Sequence, residues 1–302
     1  QTATQDLRGL LENEFSEQLS GTFDILPDGS IAKLPGQHLV DPKQRLIRRK
    51  VVEEIEHLIA GGKTAQEAVQ DYIREAAFTF LNRVVALRMM EARGLLQPCI
   101  SKGDQSSGFK EFGGLAPGLA SLTDGGYRLY LECLFDELSV EIKVLFNRRD
   151  AASLLWPRRI ALNKVLEILS RHELAEAWSA DETIGWVYQF FIELEKKDVF
   201  DRLYKKKQKI APRDIPAATQ IFTPRWIVRF LVENTLGRLW VDMHPDSALA
   251  NKLQYLVPIE GERSVPVKRV KEIRLLDPSC GTMHFGLLAF ELFAAMYREE
   301  LK

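Results

Sequence analysis

Amphipathic helical periodicity dominates the first 207 residues of the chain and limits the folds open to it. Apolar residues recur there at three- and four-residue spacing, which places them on one face of a helix. The spacing predicts helices over residues 6–19, 42–60, 64–93, 127–146, 161–169 and 184–204. Thr64 followed by Glu67 has the pattern of a capping box, and Gly94 suits the end of the same helix. The sequence therefore predicts a mostly α-helical amino-terminal region.

Two stretches interrupt this periodicity. The first, residues 23–39, is broken by Pro and Gly at positions 27, 29, 35 and 36, which predicts an irregular arm or a short hairpin. The second, residues 101–126, holds many Gly and Ser residues and shows little periodicity. We expect it to be a long surface loop or a partly disordered segment.

Composition excludes several classes of protein. The chain has 302 residues and 46% apolar content, more than one compact domain would usually use. Its 41 basic and 42 acidic residues give a formal charge of -1, so any contact with nucleic acid must be local. No uncharged apolar run reaches the roughly 18 to 20 residues of a membrane span, and the amino-terminal segment lacks the apolar core of a signal peptide.

The cysteines indicate a reducing compartment. Cys99, Cys133 and Cys280 lie far apart and form no C-x-x-C pair, which argues against a disulfide framework and against a zinc site. We therefore expect a cytoplasmic protein without a structural metal. The chain begins with Gln1 and its last residues continue a helical pattern, so we interpret it as part of a longer protein.

The strongest local positive charge lies at residues 196–213, where eight basic residues stand against two acidic ones. Two interpretations of this run stay open. It is either the solvated end of a helix or a surface that contacts DNA phosphates through Lys205, Lys206 and Lys207.

The pattern changes character after Pro212 and Pro216. This change predicts a helical domain over residues 1–207 and a second domain over residues 208–302. Within the second domain, residues 271–276 have the pattern of a charged approach to a short strand.

A tight loop of small residues follows this predicted strand, and a strong helical pattern follows the loop. The loop consists of Asp277, Pro278, Ser279, Cys280, Gly281 and Thr282. Small residues between a strand and a helix let a ligand approach the backbone. The Asp277 carboxylate suits an ammonium group or hydroxyls, whereas N–H groups at a helix start favour a carboxylate or a phosphate. The amino-acid end of S-adenosylmethionine carries both charges.

Residues 277–285, Asp-Pro-Ser-Cys-Gly-Thr-Met-His-Phe, resemble the motif I sequence D-P-A-C-G-S-G-H-F of adenine-N6 DNA methyltransferases. Met283 stands where the family has its second glycine, so we expect it to narrow the cofactor pocket. On its own, the motif is also compatible with another Rossmann-like ligand site.

Phe222-Thr223-Pro224 and the amphipathic pattern after it are similar to motif X of the same family. We expect Thr223 to cap this helix with Pro224 at its first position, although such a pair is a good helix start in any protein. The resemblance implies that Phe222 and Thr223 complete a pocket for S-adenosylmethionine whose floor is formed by Asp277 and Gly281.

A third match narrows the family. Residues 184–191, Ile-Gly-Trp-Val-Tyr-Gln-Phe-Phe, resemble the helix before motif X in the large PglX-type methyltransferases of bacteriophage-defence systems, which include BREX and DISARM. The resemblance implies a site-specific adenine-N6 methyltransferase that uses S-adenosylmethionine and acts on double-stranded DNA. It also implies a role in phage defence or restriction-modification, with other defence-system proteins as partners.

The residues that would transfer the methyl group are missing from this sequence. Adenine methylation needs a flipped-out base whose amino group is held by an amide or carboxylate and a proline carbonyl. The family supplies these groups from an N-P-P-Y-type motif, and neither Asn-Pro-Pro nor Asp-Pro-Pro occurs here. We therefore expect the chain alone to be inactive. Two rivals remain: a non-catalytic DNA-binding or scaffolding subunit with a decayed methyltransferase fold, and an RNA or protein methyltransferase, which fits motif I but not a preceding motif X.

These patterns predict an α-helical amino-terminal region followed by the start of an α/β Rossmann-like methyltransferase domain. We expect His284 to serve packing or loop structure rather than act as a catalytic base, and Cys280 to be a small buried residue. Four aromatic residues at helical spacing are expected in the core. They are Trp186, Trp226, Phe230 and Trp240.

Overall fold

A computed structural model of the chain describes residues 1–32, 41–122, 124–219, 221–259, 261 and 265–301. The chain divides into two compact units, unit 1 (Gln1–Asp198) and unit 2 (Val199–Lys302). The assignment of a helical domain to residues 1–207 and a methyltransferase domain to residues 208–302 stays a prediction. Among the described residues, no helix has both the length and the apolar character needed to cross a membrane.

Unit 1 is built from helices close to those that the periodicity predicts. They are α1 (Thr2–Phe23), α2 (Pro42–Ala60), α3 (Ala65–Ala92), α4 (Ser107–Leu115), α5 (Tyr127–Leu138), α6 (Lys143–Phe146), α7 (Arg159–Leu169) and α8 (Thr183–Phe191). Short 3-10 helices lie at Gly103–Gln105, Pro117–Ser121, Ala151–Ser153, His172–Leu174 and Ala177–Ser179. Helix α9 (Glu193–Tyr204) crosses the sequence boundary between the units.

The ends of α3 show why local sequence predicts this helix well. The Thr64 hydroxyl accepts a hydrogen bond from the Glu67 N–H at 3.2 Å, and the Glu67 carboxylate accepts one from the Thr64 N–H at 3.0 Å. Gly94 follows the helix with φ +68, and its N–H donates to the Glu91 carbonyl. The Leu95 N–H donates to the Met90 carbonyl, which completes a Schellman motif. The capping box and the glycine stop are both confirmed.

The core of unit 1 forms where α3 packs against α1 and α2, with α7 and α8 packed against α1. Apolar residues from these helices and from α5 and α6 contribute to it. The largest side chains that are fully buried are Leu11, Phe15, Leu19, Ile25, Ile55, Tyr72, Leu81, Leu87, Phe135, Phe146 and Phe191. The helical periodicity of this part of the sequence therefore corresponds to a real buried face.

One expectation for unit 1 is wrong, and a second falls only partly within the described residues. The predicted loop at residues 101–126 contains α4 and two of the 3-10 helices, because Phe109 and Phe112 pack their rings against Tyr130 at 5.7 and 5.3 Å. That prediction was wrong. In the predicted arm, Ile25 and Ile31 form an isolated antiparallel bridge. Residues 33–40, including positions 35 and 36, lie outside the described residues.

Unit 2 is also helical. Its helices after α9 are α10 (Ile215–Thr219), α11 (Arg225–Val232), α12 (Arg238–Met243) and α13 (His284–Glu300). A π-helical turn, Glu233–Gly237, joins α11 to α12 without a break. Short 3-10 helices lie at Pro212–Asp214, Ala248–Lys252 and Val270–Glu272. Helix α13 packs against α11 and the π turn, and residues from these elements make a separate apolar core.

The prediction that residues 208–302 begin an α/β Rossmann-like domain is wrong for this structure. The described residues contain no sheet, and their only β pairing is the bridge in unit 1. Residues 273–276, which carry the predicted strand pattern, form no regular secondary structure, and Leu276 is exposed. An extended segment becomes a strand only when a second one pairs with its backbone. Because no described segment does so here, the described fold is all-helical.

Candidate functional site

The loop predicted to bind a cofactor lies directly before α13, and Asp277 organises its first turn. The Asp277 Oδ1 atom accepts a hydrogen bond from the Ser279 N–H at 3.0 Å, which closes an Asx turn. The other carboxylate oxygen, Oδ2, is buried and has no hydrogen-bond partner among the described residues. A buried carboxylate oxygen without a donor is energetically costly, so it favours a cationic or hydrogen-bond-donating ligand.

The second half of the loop uses the left-handed backbone region twice. Gly281 has φ +49 and Met283 has φ +63, and the Met283 N–H donates to the Cys280 carbonyl at 2.7 Å. The left-handed conformation is one that glycine adopts readily and methionine does not. Met283 therefore has the backbone conformation that suits the second glycine of motif I, but it adds a side chain there.

The Met283 side chain lies along the first turn of α13. A Cβ atom placed on Gly286 would come within 2.5 Å of the Met283 Cε atom, so the glycine leaves room for the thioether. Met283 is nevertheless 53% exposed. Its effect on ligand binding stays a prediction.

The other loop residues are exposed: Pro278, Ser279, Cys280, Gly281 and Thr282. The expectation that Cys280 is buried is wrong, because the loop turns at the surface before α13 begins. Helix geometry leaves the first-turn N–H groups of α13, such as those of Phe285 and Gly286, without acceptors inside the helix. The loop thus presents a carboxylate and a helix amino terminus on one short segment.

The segment that resembles motif X meets this region through an aromatic contact. The Phe222 ring stacks on the His284 ring with centroids 4.6 Å apart and an interplanar angle of 9°. His284 is buried, which agrees with the packing role expected for it. Sequence reasoning named both segments but could not predict this contact, because 61 residues separate them along the chain.

Thr223 does not cap α11. The cap residue is Pro224, with φ -56 and ψ 142, and no side chain accepts a hydrogen bond from the first turn. The Pro224 carbonyl accepts hydrogen bonds from the N–H groups of Ile227 and Val228 at 3.0 and 3.2 Å. The helix therefore begins one residue later than the sequence predicts, because an extended Pro224 already satisfies the cap position.

Glu233 and Asn234, the first residues of the π turn, hold the segment at Tyr255 and Val257 in place. The sequence patterns do not predict this role. The Glu233 carboxylate accepts the Tyr255 N–H at 2.5 Å, and the Asn234 amide donates to the Tyr255 carbonyl at 2.6 Å. The Asn234 carbonyl oxygen accepts the Val257 N–H at 2.9 Å. The sequence feature that could have indicated this role is a polar Glu-Asn pair within the apolar run after the segment that resembles motif X.

Glu299 anchors the far end of α13. Its carboxylate accepts hydrogen bonds from the Trp240 indole at 2.9 Å, the Ser247 hydroxyl at 2.5 Å and the Leu249 N–H at 3.0 Å. Burial would raise the pKa of Glu299, but the hydrogen bonds from Ser247 and Trp240 outweigh it and lower that pKa. These contacts hold α13 against α12, so both ends of the helix are fixed.

The four aromatic residues predicted to lie in the core are buried to different extents. Trp240 is buried as predicted, whereas Trp226 is 59% exposed and Phe230 is also exposed, so the core assignment is wrong for the latter two. Trp186 is half-buried. A helix of eight residues that packs one face on α13 leaves Trp226 and Phe230 on its other side.

The basic run lies at the end of α9 and just beyond it. Lys205 forms an ion pair with Asp201 at 2.8 Å, whereas Lys206 and Lys207 are exposed and make no ion pair with any described residue. Lys207 has φ +51, so it ends the helix in the position that glycine usually takes. This geometry is compatible with both interpretations of the run.

Comparison with known proteins identifies relatives that match about four fifths of the chain. No family model matches it. It is 30% identical to the adenine-specific methyltransferase BrxX of Escherichia coli O9:H4 (strain HS), over 78% of this chain and 22% of that protein. It is 28% identical to the adenine-specific methyltransferase PglX of Lacticaseibacillus casei (strain Zhang), over 84% of this chain and 24% of that protein.

The chain spans about a quarter of the length of these curated relatives. The matches cover most of this chain, so they include part of unit 1 and extend well beyond the short motifs. The resemblance that the motifs indicated is confirmed: the chain is similar to two proteins named as adenine-specific methyltransferases, BrxX and PglX.

Proposed function

We propose that the chain contributes the S-adenosylmethionine-binding part of a DNA adenine-N6 methyltransferase that works in a bacterial phage-defence or restriction-modification system. The observation that carries this proposal is the stacking of Phe222 on His284. It joins the segment that resembles motif X to the helix that follows the segment resembling motif I. Similarity to two adenine-specific methyltransferases supports the reaction class.

The residues of the loop fit the amino-acid end of S-adenosylmethionine. The buried Asp277 Oδ2 atom lacks a hydrogen-bond partner among the described residues, and an ammonium group would satisfy it. The N–H groups of Phe285 and Gly286 in the first turn of α13 favour a carboxylate. Opposite charges on one short segment match a zwitterion better than a phosphate.

S-adenosylmethionine, when bound, supplies an electrophilic methyl group on its sulfonium sulfur. The residues of this chain bind and orient it: Asp277 and the start of α13 hold the amino-acid end, while Phe222, Thr223 and Pro224 border the same site. The groups that hold a flipped adenine are not found in this sequence. We therefore propose that the 302-residue chain binds the cofactor without methylating DNA.

The basic run is the part of this chain that we propose to contact the DNA backbone. Lys206 and Lys207 are exposed and not paired with described acids, so their charges are available to phosphates. Changing Lys205, Lys206 and Lys207 to Gln should reduce the slope of log affinity against log salt by about 0.9 for each lysine that contacts a phosphate. The matched control changes three exposed lysines of unit 1 to Gln, and they are Lys102, Lys110 and Lys164. Equal slopes for the two triple variants would leave the run as a solvated helix end.

Cofactor binding is tested by calorimetric titration of the chain with S-adenosylmethionine, comparing Asp277→Asn with Asp28→Asn. Asp28 is the matched control, because its carboxylate accepts the Ser30 N–H at 2.8 Å in the same kind of turn, in unit 1. Asp277→Asn removes the negative charge and keeps an acceptor for Ser279, so we expect affinity to fall at least about tenfold. Asp28→Asn should bind like the parent.

Equal affinities for the parent and both variants would remove Asp277 from the site. If the protein expressed from its complete reading frame binds no S-adenosylmethionine and forms no N6-methyladenine, the scaffolding interpretation replaces the enzyme. Methylation of RNA or protein without methylation of DNA would favour the other methyltransferase class.

A further inference from the structure

A small cavity of unit 1, with a volume of about 130 Å³, is lined mainly by positive charge. Four basic side chains reach it from different parts of the chain, and they are Lys43, Arg83, Arg128 and Arg148. Glu132 is the one carboxylate among the described residues that line it. It pairs with Arg128 at 2.8 Å and with Arg148 at 2.6 Å, so its charge is already used.

Arg83 is the buried member of this basic group, with 4% of its surface exposed. Its Nε and Nη2 atoms donate hydrogen bonds to the carbonyls of Leu145 and Asn147 at 2.7 and 2.9 Å. Its Nη2 atom also donates to the Ser153 hydroxyl at 2.6 Å, and its Cζ atom lies 5.5 Å from the centroid of the Phe135 ring. Every one of these partners is uncharged. The Nη1 atom donates no hydrogen bond to a described residue.

Arg83 and Lys43 therefore lack a negative partner. Neither forms an ion pair with any described carboxylate, and Lys43 is exposed. Burial lowers the pKa of Arg83 to about 10, yet the side chain stays charged near neutral pH. A buried charge is normally paired, so an anion next to the Nη1 atom would satisfy Arg83.

A larger cavity of about 680 Å³ adjoins the small one, because Lys43 and Trp156 line both. Its volume is that of a site for a small molecule. Asp104, Gln44 and Asn163 are among its polar lining residues. Carboxylate and amide groups accept hydrogen bonds from hydroxyls and donate to them, which suits a sugar better than an apolar compound.

We propose that unit 1 binds a sugar phosphate, with the phosphate beside Arg83 and Lys43 and the hydroxyl-bearing part in the larger cavity. A phosphate monoester carries about two negative charges near pH 7, which matches two cations without a carboxylate partner. A DNA backbone would need an open surface, whereas Arg83 is buried at a small cavity. S-adenosylmethionine has no phosphate, so this inference is independent of the cofactor site at Asp277.

Calorimetric titration of the 302-residue chain with ribose 5-phosphate, ribose and inorganic phosphate tests the proposal, at equal ionic strength. We expect ribose 5-phosphate to bind at least about tenfold more tightly than either of the others, because only it fills both cavities. No binding of ribose 5-phosphate would overturn the proposal. Equal affinity for ribose would show that the phosphate is not recognised, and equal affinity for inorganic phosphate would exclude the sugar from the larger cavity.

Two lysines of α2 provide a matched pair of variants. Lys43→Gln should weaken the binding of ribose 5-phosphate at least several-fold and leave the Tm of the free chain unchanged, because Lys43 is exposed. Lys50→Gln, on the same helix but outside both cavities, should bind like the parent. Equal affinities for these two variants would contradict the placement of the phosphate.

Arg83→Gln tests the buried cation. This variant should have a lower Tm of its own, because Arg83 also holds the carbonyls of Leu145 and Asn147. Ribose 5-phosphate should raise the Tm of the parent but not that of Arg83→Gln. An equal rise in both would remove Arg83 from the site. Displacement of bound ribose 5-phosphate by a short DNA duplex would replace the small molecule by a nucleic-acid backbone and overturn the proposal.

Discussion

Unit 1 and unit 2 bury their side chains to different extents. In unit 1 the long helices enclose a large core, in which Phe15 and Phe135 are almost wholly buried. In unit 2 the core is smaller, and α13 leaves an outer row of apolar residues exposed. In unit 1 the apolar faces of the long helices pack against one another. In unit 2, α13 packs one of its apolar sides and leaves the other exposed.

Asp277 of unit 2 differs from two buried charged residues of unit 1 in its pairing. Buried Arg8 donates to the Glu195 carboxylate at 2.6 Å, and the carboxylate of buried Glu14 accepts from Arg158 at 2.8 Å. In unit 2 the buried Asp277 Oδ2 atom has no such partner among the described residues. Paired buried charges serve structure, whereas a buried oxygen without a donor points to a ligand.

Cavity size alone would favour a ligand site in unit 1. A cavity of about 680 Å³ lies there beside Trp156, whereas the cavity beside α13 has about 140 Å³ and includes none of the predicted cofactor-binding residues. However, two of the arginines that line the large cavity are already paired, Arg128 with Glu132 and Arg158 with Glu14. We therefore keep the proposal that the cofactor binds at the loop before α13, because of the chemistry of that loop rather than the volume of a cavity.

The largest expected effect comes from removing one phenyl ring from each unit. Phe15→Ala should destabilise unit 1 by about 3 to 5 kcal/mol, because a fully buried ring leaves a cavity. Phe290→Ala in the 302-residue chain should cost less than about 0.5 kcal/mol, because its ring is exposed. Chemical denaturation followed by circular dichroism measures both. Similar decreases in the free energy of unfolding for the two variants would contradict the difference in burial between the units.

Acid should destabilise unit 1 by protonating Glu195, a half-buried carboxylate that is paired with Arg8. Burial would raise the pKa of Glu195, but the hydrogen bonds and charge of Arg8 outweigh it and hold that pKa below its ordinary value of 4.5. A lowered folded-state pKa gives stability that is present above about pH 4.5 and is lost as the pH falls through the folded-state value. Glu195→Gln should therefore show a smaller loss of unfolding free energy between pH 6 and pH 3 than the parent, in paired denaturant titrations. Parallel pH profiles would show that the ion pair contributes nothing to acid sensitivity.

The smallest expected effect concerns the left-handed backbone conformation of Met283, in the loop before α13. At a left-handed position glycine avoids a steric cost of about 1 kcal/mol that any other residue carries. Met283→Gly should consequently be about 1 kcal/mol more stable than Met283→Ala, which reverses the usual order of the two residues. Thermal unfolding of both variants measures the difference. Alanine as the more stable of the two would show that Met283 does not use the left-handed conformation in solution.

Sequence predicted those features that depend on neighbouring residues. Thr64, Glu67 and Gly94 define the ends of α3 because their hydrogen bonds join groups within a few residues. The helix after the loop followed equally from local periodicity. The family relationship also followed from short motifs, because these preserve local chemistry.

Features that depend on distant residues were not predictable in this way. Residues 273–276 have a strand pattern but no described partner, and only a pairing segment could make them a strand. The stacking of Phe222 on His284 joins segments with no recognisable pairing signal between them. The exposure of Trp226 likewise depends on which face of α11 meets α13.

The central claim, that the loop before α13 and the segment at Phe222 form the cofactor site, is tested most directly by mapping where the cofactor lies. S-adenosylmethionine with a tritiated methyl group is cross-linked to the chain by ultraviolet light, and the labelled peptides are identified after proteolysis. We predict that label appears in peptides containing residues 222–224 or 277–283, and that excess S-adenosylhomocysteine removes it. Label confined to peptides that line the large cavity of unit 1, around Trp156 and Arg128, would contradict this assignment.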